Sequence, residues 1–299
     1  MTDRDVLTVL GFDMETDIGS WTPFYEGLRK GTPLLLDLLA DCDVEATFYF
    51  TGHAAREHPE IAKAVDAAGH EVGCHSLYHE TVGDELFPIP LTQPLLPEEV
   101  PHRLQVATEL VSRALGGPVL SFRAPRLFGS TAMVNALESL GYETDASYPL
   151  YFYRERLAPY HPSRADWTLE GDSPVIEIPN FADLTIDSRD PLGRDCDQWP
   201  KFRTEGADNL LGAADRFIGL THELGLPAVL CFYMHPWEFV PMAQGSIHYG
   251  EGAVTPEPFI VAGCGDRALH ELRAVIMGMK ARGAVFRTAR DLGRAWGRS

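Results

Sequence analysis

Two histidines stand four residues apart in the run His75-Ser76-Leu77-Tyr78-His79. At that spacing both imidazoles can share one face of a helical turn and meet a single metal ion. Two carboxylates, Asp13 and Glu15, stand two apart in Gly11-Phe12-Asp13-Met14-Glu15-Thr16-Asp17, where an apolar run ends. Residues two apart on a strand point to the same side, so this pair can bind a metal or share acid–base work. Two imidazoles and one carboxylate leave positions open for water and substrate. Zinc is the ion that suits this mixed set, and it lowers the pKa of its water and polarises a carbonyl.

Three more positions belong with these. Arg123 ends another apolar run in Ser121-Phe122-Arg123-Ala124-Pro125-Arg126. A buried arginine there needs a carboxylate partner, and Asp13 is a candidate. Asp145 sits in Thr144-Asp145-Ala146-Ser147, and His235 leaves the most apolar segment of the chain in Tyr233-Met234-His235-Pro236-Trp237-Glu238. Each feature alone is commonplace: an acidic residue after a strand is usually a turn former, and a lone histidine is usually a core residue. Their positions at successive strand ends are what join them.

The chemistry requires strands that deliver these side chains to one rim. Apolar or β-forming runs at 7–12, 46–50, 70–74, 119–123, 175–178, 228–234 and 285–287 predict those strands. Helical patterns at 32–39, 59–68, 99–115, 130–140, 207–224 and 266–282 separate them, with Ser130 as a plausible N-cap. Strand and helix in alternation predict an α/β fold with a parallel sheet. Alternation alone fits an open doubly wound sheet and a closed barrel equally. Nothing along residues 1–299 reads as a linker, so one domain is expected. Long connections at 80–98, 182–205 and 238–265, rich in Pro, Gly or aromatics, are candidate substrate loops.

The motifs, in this order, resemble those of the polysaccharide deacetylase family, which includes chitin, chitooligosaccharide and peptidoglycan deacetylases. Ala46-Thr47-Phe48-Tyr49-Phe50 looks like that family's second strand. The run from Gly69 to Ser76, Phe122-Arg123-Ala124-Pro125, and Gly141-Tyr142 with Asp145 and Ser147 are similar to its later motifs. The resemblance spans roughly residues 7–237 and implies a distorted (β/α) barrel. It implies roles as well: Asp13 as general base, Glu15, His75 and His79 as ligands of one divalent metal, and Arg123 as the residue that orients the base. His235 matches the general acid, and Asp145 a support for the Arg123 or His235 network. The family usually begins with two adjacent aspartates. The Asp13-x-Glu15 spacing therefore leaves open which carboxylate is base and which is ligand, with Asp17 as a competitor. This spacing, together with His-Pro-Trp-Glu, resembles deacetylases linked to bacterial exopolysaccharide synthesis. Arg126 stands where an aromatic residue is usual; facing the site, it could receive a substrate carboxylate such as a uronic acid. Arg126, Trp237 and Tyr78 are the candidate substrate contacts.

Composition narrows the partners. The formal net charge of −18 argues against sequence-independent nucleic-acid binding and against an anionic membrane surface. The longest apolar stretch, at 227–234, is too short to cross a bilayer. The five cysteines have no CxxC spacing, and the first residues lack the basic start of a secretory signal, so a cytoplasmic chain is expected. The resulting expectation is removal of an N-linked acetyl group from an amino sugar. Hydrolysis of a cyclic amide or ureide, as in allantoinase- or imidase-like members of the same fold, is the alternative, and a catalytically silent carbohydrate-binding protein is the third reading.

Overall fold

The computed structural model describes residues 5–89 and 92–297. Residues 90 and 91 of the first expected loop lie outside that range. The nine residues Val6–Met14 form β1, buried along its whole length. Around it stand β2 (Thr47–Phe50), β3 (Glu71–Cys74), β4 (Ser121–Phe122), β5 (Thr144–Asp145), β6 (Ile176–Glu177) and β7 (Ala228–Met234). A separate antiparallel hairpin pairs β8 (Ile247–Tyr249) with β9 (Gly252–Val254), and β10 is Val285–Phe286.

The main sheet runs β10-β1-β2-β3-β4-β5-β6, and β7 also pairs with β1. Its ladders are parallel. On one side of β1, β10 pairs with its start (Leu7 with Val285) and β2 with its end (Gly11 with Thr47). Beyond β6, Asn180 bridges to Cys231 of β7, and the Phe181 N–H donates to the Cys231 carbonyl at 2.8 Å. That contact brings the free edges together, so the sheet curls into the distorted barrel that the resemblance implies. The intervening helices Thr32–Cys42, Pro59–Ala67, Val100–Leu115, Thr131–Ser139, Ala207–Glu223 and Asp266–Ala281 fall where their periodicity places them. Ser130 caps its helix by accepting from the Met133 N–H at 3.2 Å. The cysteines are all unpaired thiols. No helix among the described residues is long and apolar enough to cross a membrane.

The two-residue period of the strands decides what faces the barrel axis. On β1, Val6, Leu10, Phe12 and Met14 pack outward into the main core under the helices. Leu7 and Val9 point the other way, into a small inner cluster with Tyr49, Ala146, Ile178, Val229 and Cys231. Continuing that inner line upward gives Gly11, Asp13 and then Glu15. On β7, Val229 and Cys231 lead in the same way to Tyr233 and His235. An apolar floor therefore supports polar residues at the C-terminal rim, the end where barrel folds place their chemistry.

Candidate active site

Arg123 lies just past β4 with its side chain fully buried. Its guanidinium fills the barrel axis and donates to Asp13 Oδ1 (2.9 Å), the Ala146 carbonyl (3.2 Å) and the Phe232 carbonyl (3.2 Å), over the ring of Tyr49. Gly11 is what leaves room: a Cβ there would stand 2.2 Å from Arg123 Nη1. Both partners of this ion pair are desolvated, so either one left alone would be strongly unfavourable. Asp13 is thus held by one oxygen, and its other oxygen, Oδ2, lies 4.0 Å from His75 Nε2 and from His235 Nε2.

His75 follows directly from β3. Its Nδ1 contacts the Arg123 carbonyl at 2.7 Å, which only the Nδ1–H tautomer satisfies, so Nε2 offers a free lone pair to the site. Burial lowers its pKa to about 4, although Asp13 pulls the other way, so the ring is neutral near pH 7. Glu15 Oε2 lies 3.8 Å from His75 Nε2 and 2.6 Å from His79 Nε2. Burial raises the Glu15 pKa, but His79, His235 and His75 outweigh it and bring it to about 2. The donor atoms of Glu15, His75 and His79 lie within 4.8 Å of one another. Glu15 Oε1 and His75 Nε2 are buried without a hydrogen-bond partner. Orphaned buried acceptors are unfavourable unless something fills the gap, and a divalent cation fits this donor set.

The expected helical turn from His75 to His79 does not form. Residues 75–80 make an irregular turn, with Ser76 (φ 62°) and His79 (φ 64°) in the left-handed region. Glu80 stabilises it by accepting from the Leu77 N–H (3.3 Å), the Tyr78 N–H (2.5 Å) and the Ser76 hydroxyl (3.2 Å). A side chain that satisfies these backbone donors offers the segment an alternative to the helical ladder. The rings still converge, with centroids 5.2 Å apart.

His235 enters from the end of β7. Its Nδ1 pairs with Glu238 Oε1 at 2.9 Å, and the same oxygen accepts from the His235 N–H (2.8 Å) and from Trp199 Nε1 (3.0 Å). The other Glu238 oxygen is ion-paired with the fully buried Arg203. Burial pushes the Glu238 carboxyl up, but Arg203 and His235 bring it down to about 2. Burial disfavours a charge on His235; the Glu238 hydrogen bond, with Glu15, Glu238 and Asp13, overrides this and raises its pKa. Neither Glu238 nor Arg203 is marked as functional by the motifs in the sequence. The i, i+3 spacing of His235 and Glu238 was the available signal.

Asp145 can support Arg123 only indirectly. Thr144 and Ala146 face the axis, so Asp145 faces away from it. Its carboxyl accepts from the Ser147 hydroxyl (2.5 Å) and is hydrogen-bonded to the buried Glu177. It pairs directly with neither Arg123 nor His235, but the Ser147 hydroxyl also accepts from the Ala124 N–H at 2.8 Å, which ties Asp145 to the segment that carries Arg123. Asp17 stands apart from this cluster: it accepts from the Glu26 and Gly27 N–H groups, and burial raises its pKa to about 6. Tyr78 is 53% exposed beside His53 and is not among the pocket-lining residues. Arg126 and Trp237 do line the pocket, Trp237 stacked on His235 with centroids 5.2 Å apart.

The pocket above these groups has a volume of about 330 Å³. Each expected loop contributes to its wall: Phe87 and Ile89 from 80–98, Arg194 and Trp199 from 182–205, and Phe259 and Ile260 from 238–265. The molecule is therefore a parallel barrel with a histidine–carboxylate cluster at its C-terminal rim under three loops. Comparison with known proteins carries this one step further. Residues 11–144 match the family model described as polysaccharide deacetylase. A chitooligosaccharide deacetylase of Azorhizobium caulinodans is 30% identical over 111 residues, 37% of this chain and 48% of that protein. A peptidoglycan-N-acetylmuramic acid deacetylase of Bacillus subtilis is 29% identical over 123 residues, 40% of this chain and 43% of that protein. The chain thus matches about half the length of these relatives. An allantoinase structure superposes with a TM-score of 0.64 at 15% identity, covering 99% of this chain and 92% of that one, which shows a shared fold.

Proposed function

We propose that this protein is a metal-dependent hydrolase that removes an N-linked acetyl group from an amino sugar or oligosaccharide. The observation that carries the reading is the cluster of Glu15, His75 and His79, with two orphaned buried ligand atoms, set between Asp13 and His235. A zinc ion held there would supply Lewis-acid polarisation of the acyl carbonyl and would acidify water. The geometry divides the carboxylates: Glu15 sits with the imidazoles, and Asp13 sits with Arg123.

Asp13 acts as general base. Arg123 fixes one of its oxygens and leaves Oδ2 to take a proton from the attacking water. The C–O bond forms, and the developing negative charge meets a site arranged in advance. His235 acts as general acid. Its Nδ1–H is anchored on Glu238, so Nε2 presents the second proton to the leaving nitrogen. The C–N bond breaks, giving acetate and a free amine. Base and acid have different partners: Asp13 is ion-paired with Arg123, and His235 is hydrogen-bonded to Glu238.

Acetate release from N-acetylated oligosaccharides, lost on chelation and restored by zinc, is the expected result. Metal-loaded protein that releases no acetate from any such substrate would overturn the reading. The buried free thiols support a reducing, cytoplasmic location. A second reading has its own observation: a pocket of about 330 Å³ with largely apolar walls suits a single small ring. Turnover of a cyclic amide or ureide, without acetate release, would select it.

A further inference from the structure

Two guanidinium groups face the pocket without a counter-ion. In a chain of net charge −18, carboxylates are abundant, and the fully buried Arg123 and Arg203 each have one. Arg126 and Arg194 line the pocket, and neither has a carboxylate within ion-pair distance among the described residues. Arg126 is fixed in place: its Nη1 donates to the His79 carbonyl (3.1 Å) and to Thr81 Oγ1 (3.4 Å). No protein acceptor among the described residues takes its Nη2 or Nε. The segment that carries it is bent to present it, with Arg126 itself at φ 60°.

Arg194 is held differently. Its guanidinium lies 5.3 Å from the ring centroid of Phe87 and 5.3 Å from that of Tyr151. Its Nε is buried with no hydrogen-bond partner. Tyr151 is its polar contact, while Asp190, Asp197 and Tyr233 act on it through space. Flat, unpaired guanidinium donors in a pocket with largely apolar walls match the planar, bidentate geometry of a carboxylate. Asp13 and Glu15 share the pocket, so a singly charged anion is repelled less than a doubly charged one. The wall aromatics and the small volume limit the ligand to about one ring and a short substituent.

We infer that the substrate carries a carboxylate, bound by Arg126 and Arg194, on the ring that bears the N-acyl group. This rests on the proposed N-deacetylation and names its substrate class: an N-acetylated hexosaminuronic acid or a similar acidic amino sugar. The arginines hold the charged end and so direct the acyl carbonyl toward Glu15, His75 and His79.

The test uses the full chain and two probes, the methyl glycoside of an N-acetylated hexosaminuronic acid and the same glycoside with a neutral hydroxymethyl group. Calorimetry gives an affinity ratio. Two charge-assisted hydrogen bonds predict roughly a tenfold or larger preference for the acid. Arg194→Gln and Arg126→Gln should each shrink that ratio toward one. The ratio, rather than either affinity, is the readout, because Arg126 also supports His79 and its loss would disturb any ligand. A thermal melt checks folding, and Arg194→Gln, which breaks no contact with the metal ligands, stands in if the other variant fails to fold. Equal affinities in the parent protein, an unchanged ratio in Arg194→Gln, or tighter binding of a 6-phosphorylated glycoside would overturn the inference. Acetate release from the neutral glycoside with no acid preference would sink this inference alone. An arginine-dependent acid preference with no acetate release from either probe would sink the deacetylase reading alone.

Discussion

β3 carries two buried polar side chains on one inward-facing line, four residues apart, and they meet opposite surroundings. At its start, both Glu71 oxygens are occupied: Ser121 Oγ at 2.5 Å on one, Thr47 Oγ1 at 2.9 Å and the Arg290 N–H at 3.1 Å on the other. Just past its end, His75 Nε2 has no hydrogen-bond partner, and neither does Glu15 Oε1 beside it. The lower cluster is closed by the protein's own donors, which is how a structural polar group tolerates burial. The upper cluster is left open, and no packing gain compensates for that. The same strand therefore separates stability from function: burial of a carboxylate says little, and the completeness of its hydrogen bonding says much.

Breaking the upper cluster should have the largest effect on turnover. His75→Ala and Glu15→Ala should each remove bound metal, measured by elemental analysis, and lower kcat/KM by at least about 10³-fold, at or beyond the loss from deleting one electrostatic donor. A metal-free variant with parental activity would refute the metal role. Asp13→Asn and His235→Gln should follow, at roughly 10² to 10⁴-fold for loss of a general base or acid. Both should keep their metal, which separates these positions from the ligands.

Smaller again is Glu238→Gln, which acts through His235. The Glu238 contact raises the His235 pKa and so extends its protonated form to higher pH, and activity should fall as pH rises through that pKa. Removing the Glu238 charge removes a cause of the rise. The alkaline limb of the kcat/KM profile should then move to lower pH, with activity at the acidic end affected far less. An alkaline limb that stays in place would show that Glu238 only supports the loop. A structural role alone would lower activity at every pH.

The sequence made the upper cluster legible because its residues fall at strand ends, where period-two alternation fixes direction. Asp13, Glu15, His75, Arg123 and His235 all follow that rule, and all converge. The same rule sets Asp145 apart: its neighbours Thr144 and Ala146 face the axis, so it faces away and bears on Arg123 only through Ser147 and the Ala124 N–H. The turn around His79 was read as helical because spacing alone cannot show that the Glu80 carboxylate takes the backbone donors. Arg203 was invisible for a different reason. Its partner Glu238 lies 35 residues away, in another loop, and only folding brings the two together.

Breaking the lower cluster should barely touch turnover. Glu71→Ala leaves the Ser121 and Thr47 hydroxyls and the Arg290 N–H without their acceptor in a closed interior. An unmet buried donor costs about 1–3 kcal/mol, and shared losses within one network are not additive. A fall in unfolding free energy of a few kcal/mol is therefore expected, read from denaturant melts. Metal content and kcat/KM per folded molecule should stay within about twofold of the parent, because Glu71 sits at the N-terminal end of the strand and the reaction is placed at the C-terminal rim. If Glu71→Ala lost metal as His75→Ala does, the two ends would be coupled through β3, and hydrogen-bond completeness would no longer distinguish a structural site from a functional one in this barrel.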